Sequence, residues 1–357
     1  MRKITLTLVF LASTLLADEH ARRGPYLQDL RTDRVTVLWT TNDPADGEVA
    51  FGEGADLSRT VKEPTAGKHH RLVLEGLEAG KTYSYRISSD GEEGEVHSFG
   101  TMVPPGTPFT FVAYGDTRSD GDVHRRIAAA IRKEHPLFLI HTGDIVADGS
   151  VGKLWNEFFQ EGGALLAESP IFPALGNHEH DAGEYFDTFE LPGKERWYSF
   201  DCGDAHFVAL DSNKVDLASR KQREFLSRDL EDHATSPWEI VYFHHPPFAT
   251  TDSTLRELES MLVQATFVPP IEKNGVSLVF NGHDHNYQHS LVNGVHYVLT
   301  AGGGADLYDL GDAKKWTVAR AKAHHFVRVE VSKEKVTVTA IDLDGKVIET
   351  FDLAPDR

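Results

Sequence analysis

Five short apolar runs in this chain of 357 residues end in side chains able to hold a metal ion. They are FVAYGD, ending in Asp116; FLIHTGD, ending in Asp144; IFPALGNHE, with Asn177, His178 and Glu179; IVYFHH, with His244 and His245; and LVFNGHDH, with His283, Asp284 and His285. Carboxylate, amide oxygen and imidazole are all ligands of first-row metals. Glycine precedes four of the five groups, which allows a tight backbone turn beside an ion. One such ending carries little weight, whereas five together point to a single pocket assembled from distant residues. A carboxylate can bridge two cations about 4 Å apart, an arrangement suited to phosphoryl transfer to water.

An apolar run that stops at glycine and polar residues reads as a buried strand meeting its loop, where α/β proteins place ligand chemistry. FTFVAYGD, DVHRRIAAAIRKEH and PLFLIHTGD form a strand-helix-strand unit, and the later runs repeat the theme of parallel strands buried on both faces. The tail alternates with period two around an Asp344-Gly345 turn, which predicts antiparallel strands closing the fold. Residues 24–102 show only short alternating runs between turns, as a small antiparallel β-sandwich does. The turn-rich segment Val103-Pro104-Pro105-Gly106-Thr107-Pro108 separates a domain at 24–103 from one at 108–357. Residues 251–270 are helix-prone and placed beside the pocket, with Leu255, Leu258 and Leu262 expected to pack into the core. Residues 213–217 are expected to form another rim loop.

A formal net charge of -19 argues against duplex nucleic acid or an anionic membrane as partner. A small anionic substrate remains compatible, because a divalent ion reverses the local potential. Residues 1–17, with basic Arg2 and Lys3 before an apolar stretch at 4–16, read as a secretory signal peptide. The expected location is therefore periplasmic or secreted. No later segment is apolar enough to span a bilayer, so no stable membrane insertion is expected after removal of the signal. Cys202 is the only cysteine, which excludes an internal disulfide and a cysteine-based zinc cluster.

The series GD, GD, GNHE, VxxH and GHxH, together with GPYLQ, VTVLWTT, RWYSFDCGDAHFVALDS and AGGGADLY, resembles the calcineurin-like metallophosphoesterase superfamily over nearly the whole chain. Within it, the chain is similar to purple acid phosphatases of bacterial type. The resemblance implies an N-terminal all-β, fibronectin III-like sandwich in front of a four-layer α-β-β-α catalytic sandwich. It implies two transition-metal ions, iron, zinc or manganese, and a small phosphate ester as substrate. Asp144 would be the bridging ligand, Asp116 and His285 would hold the first ion, and Asn177, His244 and His283 the second. Water activated by the ions would attack, with His178 as general acid or phosphate donor and Glu179 orienting it. His245 is left open between phosphate contact and packing, while His289 and His296 read as surface or structural. The implied activity is acid phosphatase-like monoester hydrolysis. Two other readings stand beside it. One is a phosphodiesterase acting on cyclic nucleotides, nucleotide esters or phospholipid head groups; the other is a binding or adhesion protein in which the β-sandwich acts and the metal domain is degenerate.

Two positions depart from the family pattern. Arg118 stands two residues after Asp116, where many superfamily members carry histidine, and Ala147 stands three after Asp144, where purple phosphatases carry tyrosine. Guanidinium has no lone pair to offer, so Arg118 reads either as a fork for two phosphate oxygens or as a partner of Asp148. Without a phenolate ligand at position 147, the iron-loaded protein is expected to lack a purple charge-transfer band. Visible absorption spectroscopy after anaerobic iron loading and reoxidation checks this, and a strong visible band would contradict it.

Overall fold

The computed structural model describes residues 21–213, 220–250 and 253–355. The expected signal peptide at 1–17 and positions 214–217 of the expected rim loop lie outside the described residues. From Ala21 to Gly100 every element is a strand. Ala21–Gln28, Arg34–Ala45 and Gly67–Glu75 form one antiparallel sheet, and a second is built around Gly47–Glu53 and Thr82–Ser89. Val37, Trp39, Phe51 and Tyr85 are buried between them. This part rests on the rest of the chain through Tyr26, whose ring lies 4.2 Å from that of Phe159, and through Tyr85, whose hydroxyl donates to the Ala167 carbonyl at 2.7 Å.

The remainder is built on two sheets packed face to face. The six-stranded sheet runs Ile171–Pro173, Leu139–His141, Phe109–Tyr114, His325–Val331, Val336–Asp342 and Val347–Leu353. Its first three strands are parallel and its last three antiparallel, as the tail's alternation predicts. The seven-stranded sheet runs Tyr198–Cys202, Ala205–Ala209, Trp238–Tyr242, Leu278–Asn281, Val295–Thr300, Tyr287–Val292 and Thr317–Ala321. Its central strands are parallel and apolar on both faces. Alternate side chains divide between two cores. Phe207, Ile240, Leu278 and Phe280 face the six-stranded sheet, where Phe111 stands edge-on to Phe207 at 5.3 Å. Val208, Val241, Phe243 and Val279 face outward onto helices.

Helices cover both outer faces. Helix α1 (Gly121–Arg132) starts where Asp120 accepts from the backbone N–H groups of Asp122 and Val123, and buries Ile127, Ala128 and Ile131. Helix α2 (Gly152–Glu168) lies beside it and buries Trp155, Phe158 and Phe159, while α3 (Gly183–Thr188) is a short turn after the Asn177 loop. On the other side, α4 (Arg220–Asp232) and α5 (Thr254–Asn274) set Leu226, Leu230, Val263, Phe267 and Ile271 against the seven-stranded sheet. The result is the four-layer α-β-β-α arrangement. One expectation fails: Leu255, Leu258 and Leu262 are 57%, 54% and 42% exposed and do not enter the core. The buried stripe of α5 is Glu259, Val263, Phe267 and Ile271, four residues apart; Leu255 continues that row at the exposed end of the helix, and Leu258 and Leu262 are rotated away from it.

His289 and His296 pack as structural groups, stacked on each other and on Phe351. His206 ties the edge hairpin to α4, with Nδ1 at 2.7 Å from Asp201 and Nε2 at 2.8 Å from Asp229. Its ring stacks on that of His233 at 3.6 Å and 8°. Parallel rings direct their lone pairs side by side and not at one point, so this group is an ion pair and not a chelating site. Burial opposes the charge on His206, but the two carboxylates outweigh it and raise the imidazole from 6.5 to about 9. A raised folded value stabilises fully below the unfolded value and is lost as pH rises through the folded one. The stability gap between the wild type and His206→Gln is expected to be about 2 kcal/mol near pH 6, to shrink progressively above pH 6.5 and to be lost by about pH 9. Urea unfolding across pH checks this, and a gap independent of pH would contradict it.

Candidate metal centre

All five ligand-bearing segments leave the C-terminal ends of parallel strands, three from the six-stranded sheet and two from the seven-stranded one. Face-to-face packing brings those ends together. Asp116, Asp144 and His285 offer ligand atoms within 4.8 Å of one another, and so do His244, His245 and His283. Asn177 joins the second group, with Oδ1 at 3.1 Å from His244 Nε2, and Asp144 Oδ1 lies 3.3 Å from the same nitrogen. The seven ligand-type residues therefore sit in one buried cluster around Asp144. Asp116, Asp144 and His283 hold φ values of 56°, 54° and 75°, a left-handed backbone uncommon for residues with a Cβ. The glycines beside them are required by space: a Cβ on Gly282 would lie 2.6 Å from Asp116 Oδ2, and one on Gly176 would meet the Asp144 carboxylate.

Hydrogen bonds on the far side of each ring aim its lone pair inward. His244 Nδ1–H donates to the Thr142 carbonyl at 2.9 Å and His285 Nδ1–H to the Asp306 carbonyl at 2.7 Å, so both Nε2 lone pairs face the cluster. His283 turns the other way, with Nε2 at 3.2 Å from Glu259 and Nδ1 at 3.2 Å from His244 Nε2. Such outer partners fix the tautomers that metal ligation needs. This donor set of carboxylates, one amide and inward-facing imidazoles fits first-row ions.

Burial opposes ionisation of Asp144, but neighbouring His244 outweighs it and holds the carboxyl well below its usual range. Burial likewise opposes the charge on His244, while Asp144 raises it to about 9. Burial, then His245 and His244, keep His283 neutral with a value well below that of free imidazole.

Glu179 has a different place from the one expected. It makes no hydrogen bond to His178; its buried carboxylate accepts from the backbone N–H groups of Gly176 at 2.7 Å, Ile145 at 2.8 Å, Asp144 at 3.0 Å and Val146 at 3.4 Å. It is the anchor of the turn that carries Asp144. His178 is oriented instead by the Ala147 carbonyl, which accepts from Nδ1–H at 2.8 Å and leaves Nε2 facing Asp144 Oδ2 at 3.8 Å. Arg118 does not pair with Asp148, which accepts from Ser150. Its Nε lies 3.3 Å from Asp144 Oδ2 and its Nη2 3.2 Å from His285 Nε2. His245 stands with its ring centre 4.4 Å from that of His283, held by Ser212 Oγ at 2.9 Å.

The profile of the calcineurin-like phosphoesterase family matches residues 109–287, which span every one of these side chains. The chain belongs to that family. Among curated relatives, purple acid phosphatase 18 of Arabidopsis thaliana is 26% identical over 71% of this chain and 62% of its own length. Probable inactive purple acid phosphatase 9 of the same plant is 26% identical over 72% of this chain and 51% of its own. The chain thus spans between half and two thirds of these relatives. The structure of the purple acid phosphatase PPD1 from yellow lupin seeds superposes with a TM-score of 0.80 at 19% identity, covering 92% of this chain and 74% of that one. That likeness shows the fold, front β region included.

A cleft of about 360 Å³ opens beside the ligand cluster, lined by residues that include Asn177, His245, Leu255, Arg256, Glu259 and His283. A larger cavity of about 1040 Å³ lies between the front sheets and α1 and holds none of the ligand residues; its charged pair, Arg132 and Glu168, is bonded to itself at 2.6 Å. Glu259 and Arg256 were not legible as site residues. Reading back by fours from Ile271, Phe267 and Val263 reaches Glu259, which is the signal that would have exposed it. Removing the Glu179 anchor leaves buried N–H groups without an acceptor. Glu179→Ala is expected to cost about 3 kcal/mol or more by urea unfolding. Wild-type stability would contradict the anchoring role.

Proposed function

We propose that this chain is an exported, metal-dependent phosphatase that hydrolyses small phosphate monoesters in the manner of acid phosphatases. The observation that carries the reading is the convergence of Asp116, Asp144, Asn177, His244, His283 and His285 in one cluster, of which Asn177 and His283 line the adjoining cleft. Two cations held there, the first by Asp116, Asp144 and His285 and the second by Asp144, Asn177, His244 and His283, would neutralise phosphoryl oxygens and lower the pKa of an attacking water. Export rests on the character of residues 1–17 alone.

The chain's own residues do the remaining work. Asp144 and Asp116 concentrate negative charge where cations are needed, and the dry surroundings strengthen every interaction there. Asn177 brings a neutral amide, whose NH2 group is free to donate to an ester oxygen while Oδ1 faces inward. His178 is half-exposed with its Nδ1–H fixed on the Ala147 carbonyl, so Nε2 is the nitrogen left to carry a proton to a leaving group. Arg118 is the natural clamp for two phosphate oxygens once an anion is present, since its planar fork matches them. His245 lines the cleft beside His283, where it can contact a bound ester. A cleft of about 360 Å³ suits a compact ester.

The test is hydrolysis of p-nitrophenyl phosphate and of its bis ester by purified protein supplied with manganese, zinc or iron. Turnover of the monoester well above that of the diester is expected. Preference for the diester would reassign the substrate class, and no hydrolysis of either would contradict the enzyme reading. Asp144→Asn is expected to lower kcat at least about a thousandfold while circular dichroism remains that of the wild type. Arg118→Ala is expected to lower kcat/KM by about tenfold to a hundredfold, and an unchanged value would retire the clamp.

A further inference from the structure

The two halves of the centre are not equivalent, and the difference lies in residues outside the ligand set. Around the first ion's position, Arg118 enters the space between the ligands. Its Nε–H reaches Asp144 Oδ2 at 3.3 Å and its Nη2–H reaches His285 Nε2 at 3.2 Å. His285 Nδ1–H is already committed to the Asp306 carbonyl, so the lone pair that Arg118 takes is the one an ion would need. Asp144 uses its two oxygens separately: Oδ1 faces His244 at 3.3 Å and the His178 N–H at 3.0 Å, and Oδ2 faces Arg118. The guanidinium thus engages two of the first site's three donors, and it cannot lose its charge. Ala147 brings no donor to replace them.

The second ion's position has the opposite support. His283 presents Nδ1 towards His244 Nε2 at 3.2 Å, and the buried carboxylate of Glu259 sits 3.2 Å behind its other nitrogen. A carboxylate behind a ligating imidazole raises its basicity and fixes its orientation. Glu259 is carried on the buried stripe of α5, in line with Val263, Phe267 and Ile271.

We infer that Arg118 is a tethered competitor for the first ion and Glu259 a positioning residue for the second, so that the second site fills first and tightly while the first-site ion is the exchangeable one. Filling the first site requires the Arg118 fork to leave Asp144 and His285, which frees it to meet an anion in the cleft. The inference rests on the metallophosphatase reading for the identity of the two sites, but it is tested without substrate.

The experiment is calorimetric titration of the chelator-stripped full chain with Mn(II) and, separately, Zn(II), with bound metal counted by elemental analysis. The wild type is expected to bind two ions in two resolved steps. Arg118→Ala and Arg118→Met are each expected to tighten the weaker step by about tenfold or more and leave the stronger one unchanged. Glu259→Gln is expected to weaken the stronger step by about tenfold or more. Circular dichroism of each variant establishes that it is folded, and the use of two Arg118 variants guards against failure of either. Equal affinities in the wild type, or a weaker step that does not tighten in both folded Arg118 variants, would overturn the inference. Stepwise binding with the expected shifts and no hydrolysis of any ester would sink the phosphatase reading and leave this one standing.

Discussion

Two carboxylates cannot lie side by side in a water-poor pocket unless positive charge is placed between them. Asp116 and Asp144 are both essentially inaccessible to solvent, and their oxygens belong to one group of donors. Desolvation and mutual repulsion each favour neutral acids. The protein answers with His244 against one oxygen of Asp144 and Arg118 against the other, and with backbone N–H groups of His178 and His283 donated to Asp144 and Asp116. The remaining donors are imidazoles with their lone pairs turned inward, which bring no compensating charge when neutral. A pocket arranged in this way is organised around a cation.

That demand explains the local backbone. Donors from five loops must meet at one place, and side chains that short can do so only if the main chain turns sharply towards it. Left-handed conformations at Asp116, Asp144 and His283, and neighbouring glycines with no room for a Cβ, are the consequence. The Glu179 carboxylate holds the Asp144 turn by its N–H groups, so a residue that touches no ligand ring still governs where the central carboxylate lies. Burial and Asp144 press its carboxyl up to about 7, against the pull of His244 and those N–H groups. The two sheets are the larger part of the same answer. Their aromatic interface, with Phe111 against Phe207 and Phe280, sets the distance between strand ends that the loops then bridge.

Much of this was written in the residues themselves. A continuous apolar run closed by glycine and a donor is a strong local signal, because only a strand buried on both faces has that composition and only a turn beside a crowded site wants that glycine. Asp116, Asp144, Asn177 and His283 were legible on those grounds and His244 by its apolar run and VxxH spacing, and so was the contrast between alternating strands before residue 103 and parallel ones after it. Less legible was anything that depends on which way a helix is rotated. The leucines of α5 suggested a core stripe, yet the helix is turned so that Glu259 faces the centre, Leu255 lines the cleft one turn before it, and Leu258 and Leu262 face outward. The partners of Glu179 and Arg118 were hidden for another reason. A carboxylate bonded to main-chain N–H groups, or a guanidinium lodged between two ligands, leaves no spacing pattern; it appears only once the loops have converged.

The central claim is that this convergence exists to hold cations next to the cleft. Anomalous difference maps from crystals loaded with manganese or zinc, recorded on both sides of the metal edge, test it most directly. The account predicts density bounded by Asp144, Asn177, His244 and His283, with a second, weaker peak towards Asp116 and His285. Maps without a peak near Asp144, or with the metal bound only elsewhere on the molecule, would contradict it.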